Sequence, residues 1–301
     1  VTDVQLSRSE DVLNTYRYLR LAMVLLVVAL GISVLWQVFA SAPYCLQTSI
    51  SAYYFTPART IFAVALGAVG TCLIVYKGNS DVEDVLLNFS GSMAFIVAFV
   101  PTTIDLTCKA SNVPTADELT AGVTNNGWAL LITGAGAVVL GRIVNPSAYR
   151  VSGWSRPARI AVVVGTAVLL GGVAFFVFAR SSFRDHAHDV AAVSLFAGVV
   201  LVVLSNAYSY GWHNAPDAGR ARYANRYSAI AMAMLLTLVG FGAARLIDSD
   251  FVHWRFWLEA GVIAEFAVHW AVQTAELWNV IDRHQLPSGS QLPPGPGPTP
   301  R

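Results

Sequence analysis

Eight runs of this chain stay apolar for about 17 to 25 residues each, and the polar residues collect in the connections between them. The runs are Leu19–Ala40, Thr60–Tyr76, Val85–Pro101, Gly127–Val144, Ala158–Ala179, His188–Tyr208, Ser228–Leu246 and Trp254–Trp278. A bilayer core of about 30 Å needs roughly 20 mostly apolar residues in a helix. The pattern therefore predicts an all-α, polytopic membrane helix bundle with eight transmembrane helices, residues 19–278, and too little chain besides to build a soluble domain. Residues 1–18 read as a short polar cytoplasmic lead-in. Residues 279–301, which include LPSGSQLPPGPGPTPR, read as a disordered Pro/Gly-rich cytoplasmic tail with no apolar face to bury.

Composition supports the membrane reading. Hydrophobic residues make up 55% of the chain and charged residues 12%, against about 25% charged in soluble domains. A net charge of +1 and the absence of any basic run argue against a nucleic-acid partner. The first apolar run is about 22 residues long, longer than the roughly 7–15 of a signal-peptide core, so it reads as a span and not as a cleaved leader.

With the N-terminus placed in the cytoplasm, thirteen of the Lys and Arg residues fall on the inner face and six on the outer, as the positive-inside rule requires. An even number of spans then puts both termini on the cytoplasmic side of the plasma (inner) membrane. Trp36, Trp128, Trp254 and Trp257 fall near outer helix ends and Trp154, Trp212 and Trp278 near inner ones, as an aromatic belt would.

On this topology the outer connections are residues 41–59 and 102–126. Cys45 and Cys108 lie one in each, on the oxidising side, and Cys72 lies inside the second run. The expectation is a Cys45–Cys108 disulfide; the alternative is two unpaired thiols. Glycines recur in the second, fourth, fifth and seventh runs, where small residues let helix backbones approach closely.

Two sets of polar residues are candidates for chemistry, because charged groups at membrane depth are costly unless paired or wetted. The first gathers at the outer face: Ser49 and Ser51 beside Tyr53 and Tyr54, then Asp105, His186, His188, Asp189, His253 and Glu259. Imidazole and carboxylate together suit zinc, and three ligands with an open position would let a bound water attack. In that reading His186, His188 and Asp105 hold the metal. Ser49, Ser51, Asp105, His188 and Glu259 form the catalytic set. The alternative is a group of interfacial polar residues that hydrogen-bond loop backbone.

The second set is a stripe on the last run, where Glu265, His269 and Glu276 share one helix face with Gln273 beside them. That stripe reads either as a proton relay or as polar contacts between helices, answered by Asn88, Ser90 and Ser92 or by Ser205 and Asn206. No P-loop, GxGxxG, HExxH or GxSxG occurs.

SISAYYFTPARTIFAVALGAVGTCLIVYKG, NFSGSMAFIVAFVPT and FWLEAGVIAEFAVHW together resemble a family of uncharacterised bacterial multi-pass membrane proteins. That family shows SISxYY after its first helix, NxxG…PT in its third, a helix opening with His and small residues, and FWLE in its last. The matching positions here are Ser49, Ser51, Tyr53, Tyr54, Arg59, Asn88, Gly91, Pro101, His188, Glu259 and Trp270. The likeness covers about two thirds of the chain, with the fourth and fifth runs as an insertion, and Glu265 and His269 lie outside the family's pattern. A more distant resemblance, to the ceramidase and progestin-receptor-like superfamily of membrane proteins, implies metal-dependent hydrolysis by Ser, Asp and His; its three-histidine pattern is not reproduced.

These readings leave three functions open. One is a metal-dependent membrane hydrolase or lipid-processing enzyme, with zinc as its cofactor and a lipid as substrate. Another is a non-catalytic protein that binds a lipid or small ligand or acts as a scaffold. The third is a proton-coupled transporter.

Overall fold

The computed structural model describes residues 3–41, 44–104, 108, 114–149, 151–212 and 218–280. Among these residues there are eight α-helices and no strand: α1 (Asp3–Ala40), α2 (Arg59–Val75), α3 (Asp81–Phe99), α4 (Ala116–Val144), α5 (Arg156–Phe178), α6 (Arg180–Trp212), α7 (Ala218–Ile247) and α8 (Trp254–Glu276). The Pro/Gly-rich segment 281–301 and Asp105 lie outside the described residues.

Apolar side chains run right round the helices. In α1, Met23, Leu30 and Val34 turn inward and are buried, while Leu25, Val28, Ile32, Leu35, Trp36 and Phe39 are exposed on the other side. An outer surface this apolar suits lipid and not water. Six helices, α1 and α3 to α7, are long and apolar enough to cross a membrane. With 17 residues, α2 is shorter than the other apolar helices. The 23 residues of α8 are long enough, but Glu259, Glu265, His269 and Gln273 lower its hydropathy.

Several helices begin well before their apolar runs because capping, not hydropathy, sets their first turn. Thr115 and Glu118 close a reciprocal capping box that starts α4 at Ala116, a polar stretch expected as loop. Ser80 caps α3, with Asp81, Glu83 and Asp84 in the first turn at the positive end of the helix dipole. Only Ala179 separates α5 from α6, so residues 180–187 are helix and not connection. The polar lead-in from residue 3 continues without a break into α1.

The packing order forms a closed ring. α1 packs on α2, α2 on α3, α3 on α6, α6 on α7, α7 on α8, and α8 returns to α1. Arg17 helps close it, donating from Nε to the Trp278 carbonyl at 2.6 Å with its guanidinium 4.9 Å from the indole centroid. α4 and α5 pack on the outside of this ring, against α3 and α6.

At the tightest crossing α2 and α3 meet glycine to glycine. A Cβ added at Gly91 would sit 2.6 Å from the Gly70 carbonyl oxygen, and one at Gly70 would sit 2.8 Å from the Gly91 carbonyl oxygen. Backbone cannot yield as a flexible side chain can. Gly91→Ala is therefore expected to force α2 and α3 apart and cost about 1–3 kcal/mol. Gly136→Ala on α4 meets nothing within 4 Å and should be neutral or slightly stabilising. Unfolding of the two variants side by side in the same detergent checks this; equal losses would contradict the glycine-on-glycine packing.

Candidate functional site

The chain between α1 and α2 does not lie on the surface as a loop ordinarily would. It folds inward as the 3₁₀ turn Ser51–Phe55, and Ile50, Ala52, Tyr53, Tyr54 and Phe55 are all buried. Burying each large apolar side chain contributes roughly 1.5–3 kcal/mol, but the turn's backbone groups then need partners.

Helix α8 supplies them. Glu259 accepts from the Ser51 amide at 3.0 Å and the Ser51 hydroxyl at 3.4 Å, and from the Ile50 amide. One turn earlier, the Phe256 amide, an unpaired donor at the start of α8, gives its hydrogen to the Thr48 carbonyl at 2.9 Å. His253 Nδ1 lies 3.3 Å from the Gln47 carbonyl oxygen. Within the turn, Ser49 Oγ accepts from the Ala52 amide at 3.0 Å. The Tyr53 hydroxyl accepts from the Gln47 amide at 3.4 Å, and burial pushes the Tyr53 phenol up from its ordinary pKa. At the far end Arg59 donates to the Tyr54 hydroxyl at 2.9 Å. Cys45 and Cys108 are joined by a disulfide, Cα atoms 5.8 Å apart, which ties this segment to the connection after α3.

Beneath the turn lies a cavity of about 80 Å³, room for roughly five to eight water-sized groups. Its walls come from α1, α2, α3, α6 and α8 and are almost wholly apolar, among them Leu30, Ala65, Val69, Val97, Leu195 and Phe266. Ser51 and Glu259 are the polar residues in the lining, and Glu259 is the sole ionisable one. Along α2 the lining runs from Phe62 to Leu73, about 16 Å at 1.5 Å per residue.

The other outer-face candidates are placed as follows. His188 is buried, and its Nδ1 lies 2.7 Å from the Val100 carbonyl oxygen, tying α6 to the end of α3. His186 is exposed and bonds back to the Ser182 carbonyl of its own helix. Because both are helical and two residues apart, the two imidazoles point to different sides of α6. Asp189 faces Arg255 of α8 at 3.6 Å. Among the described residues no three His, Cys, Asp or Glu side chains gather closely enough to hold a metal ion.

The stripe on α8 meets mainly α7, not the α3 serines that the sequence suggested. Thr237 donates to Glu265 at 2.7 Å, Tyr227 donates to Glu276, and the Tyr227 ring packs edge-on against His269 at 5.5 Å. Asn88 and Ser92 bond within α3 itself. Asn206 does take part, through Glu83. That carboxylate is 1% exposed and accepts from Asn206 and Gln273, both at 3.4 Å, and from Asn79. Gln273 also reaches the Tyr76 hydroxyl. Arg20, fully buried, donates to the Tyr16 carbonyl and has Tyr76, Glu276 and Tyr227 within electrostatic range.

These residues form a polar layer through all six ring helices at the end opposite Glu259. The sequence reading passed over Arg20, Glu83 and Tyr227. A lone Arg opening the first apolar run, and a Glu three residues after a helix-capping Ser, were the available signals. Six residues separate Glu259 from Glu265, about 120° around the helix, so Glu259 faces the cavity while Glu265 faces α7.

No family model, curated protein or solved structure matches this chain.

Removing the Glu259 carboxylate should release the inward turn. Glu259→Ala is expected to cost about 2–3 kcal/mol, since it strands buried amide donors, and to speed hydrogen exchange across residues 47–56 while leaving α4 unchanged. Unaltered exchange over 47–56 would contradict the anchoring role. In the polar layer at the opposite end, Glu83→Ala should cost about 2–3 kcal/mol, since it strands the buried amides of Asn206 and Gln273, visible as a lower unfolding midpoint, whereas Asn88→Ala, on an exposed part of α3, should cost far less.

Proposed function

We propose that this chain is an integral membrane protein that binds an apolar chain of a lipid or small amphiphile in the cavity beneath the Ser51–Phe55 turn. In this reading all eight helices cross the plasma membrane and both termini are cytoplasmic. The exposed apolar sides of α1, α4, α5 and α6, the excess of basic residues on the inner face and the disulfide on the outer one support that topology. α2, which is short, and α8, which is the more polar, each pack between two neighbours of the ring.

The observation that carries the reading is the cavity itself: apolar along its length, with one carboxylate and one hydroxyl at its outer end. Ligand sites have this composition, a mostly apolar wall with few polar groups that fix orientation.

A hydrolase draws less support. Ser51 has Glu259 at 3.4 Å, but the Nδ1 of His188 is engaged with Val100 and Ser49 serves its own turn. The donors proposed for zinc, His186 and His188, point to different sides of α6. A proton relay along α8 lacks continuity between Glu259 and Glu265, which face different neighbours.

The test is equilibrium binding of radiolabelled octanol to the protein in nanodiscs, corrected for empty nanodiscs. Saturable binding is expected, weakened about tenfold or more, some 1.4 kcal/mol, when Ala65→Phe fills the cavity. Binding that does not saturate, or that is indifferent to Ala65→Phe in a folded variant, would remove the basis for this function.

A further inference from the structure

The cavity's polar end selects what its occupant carries as a head group. Resting on the binding function above, we infer that the ligand is a single-chain amphiphile whose head donates hydrogen bonds, an amine before an alcohol, and that long-chain carboxylates are rejected.

The argument is one of charge and of donor and acceptor complementarity. Among the residues lining the cavity Glu259 alone is ionisable, and no cationic side chain lines it. Arg255, which acts on Glu259 electrostatically, lies on the exposed side of α8 and faces Asp189 at 3.6 Å. Of the other charged groups at this end, Asp189 is set against Arg255 and Arg59 is held on the Tyr54 hydroxyl and ring at the far end of the turn.

The donors at that end are already directed. The Ser51 amide and hydroxyl both point at Glu259 Oε2, as does the Ile50 amide at the same carboxylate. An incoming carboxylate would compete with Glu259 for those donors and would set a second carboxyl group against it in an apolar surround, where two like charges repel most. An ammonium or hydroxyl head needs acceptors instead, and a carboxylate has up to four lone-pair sites to offer, not all of them used here. An amine adds a charge-assisted bond, which is roughly twice as strong as a neutral one. Behind the head, the lining from Phe62 to Leu73 offers only apolar side chains to the tail along α2.

Competition against radiolabelled octanol in nanodiscs at neutral pH tests the head group separately from the cavity. Octylamine is expected to displace octanol at about tenfold lower concentration than octanol itself does, and octanoate at a concentration at least about tenfold higher. Glu259→Gln should weaken octylamine about tenfold more than it weakens octanol. Octanoate competing as well as octylamine would overturn the head-group assignment while leaving the cavity reading intact. So would octylamine binding that is unchanged in folded Glu259→Gln. Should that variant not fold, the octylamine-to-octanoate ratio in the unaltered protein decides alone. Failure of octanol itself to bind saturably would instead strike the underlying function.

Discussion

One carboxylate holds one end of this molecule together. Five consecutive residues between α1 and α2 turn inward and bury two tyrosines and a phenylalanine, and a backbone so buried must find hydrogen-bond partners or lose several kcal/mol. Glu259 meets that demand from the first turns of α8, together with the Phe256 amide one turn before it. The arrangement is mutual. The segment gives α8 an acceptor for one of its unpaired N-terminal amides, and α8 gives the turn a carboxyl acceptor for its leading amides. The disulfide from Cys45 then fixes the other side of the segment to the end of α3. Without these ties the turn would be an ordinary surface loop, and the space beneath it would open outward.

The opposite end follows a different logic. There the ring is joined by many weak polar contacts instead of one strong anchor: Glu83 with Asn206, Gln273 and Asn79, and Tyr227 with Glu276, with Arg20 close by. Hydrophobic burial cannot drive helices together in lipid, where the surroundings are as apolar as the helix faces. Polar layers and close glycine contacts are the remaining means, and both occur here, at Glu83 and at Gly70–Gly91. Between the two polar ends most side chains facing inward are apolar, and that is where the cavity lies. α4 and α5 contribute to neither polar layer, which fits their position outside the closed ring.

Much of this was legible in the chain. The apolar runs located all eight α-helices among the described residues, and the placing of Cys45 and Cys108 in connections on one face pointed to the disulfide. Hydropathy failed at helix starts, because capping by Thr115 and the continuation of α6 back to Arg180 depend on local hydrogen bonds and not on apolar content. Ser51 and Glu259 were both named as candidates, and they do meet. Their contact spans 208 residues, a distance over which no spacing rule operates, so the sequence offered each residue but not the pairing. His186 and His188 mislead for the opposite reason: close in sequence, they suggest two ligands of one metal, and the helix carries them to different sides.

That α8 is the least lipid-like of the long helices is a consequence of its work. Each polar residue that lowers its hydropathy has a partner elsewhere: Glu259 the inward turn, Glu265 Thr237, His269 the Tyr227 ring, Gln273 Glu83, Glu276 Tyr227. A helix meeting α1 on one side and α7 on the other, with the cavity between, is shielded from lipid along much of its length. It can carry charges that would be expensive on α4 or α5, whose apolar sides are widely exposed. The ring therefore permits α8 its polarity, and that polarity in turn secures both ends of the ring. The cavity is left where neither polar layer reaches, with Glu259 at its rim as the one group that serves both the fold and whatever enters.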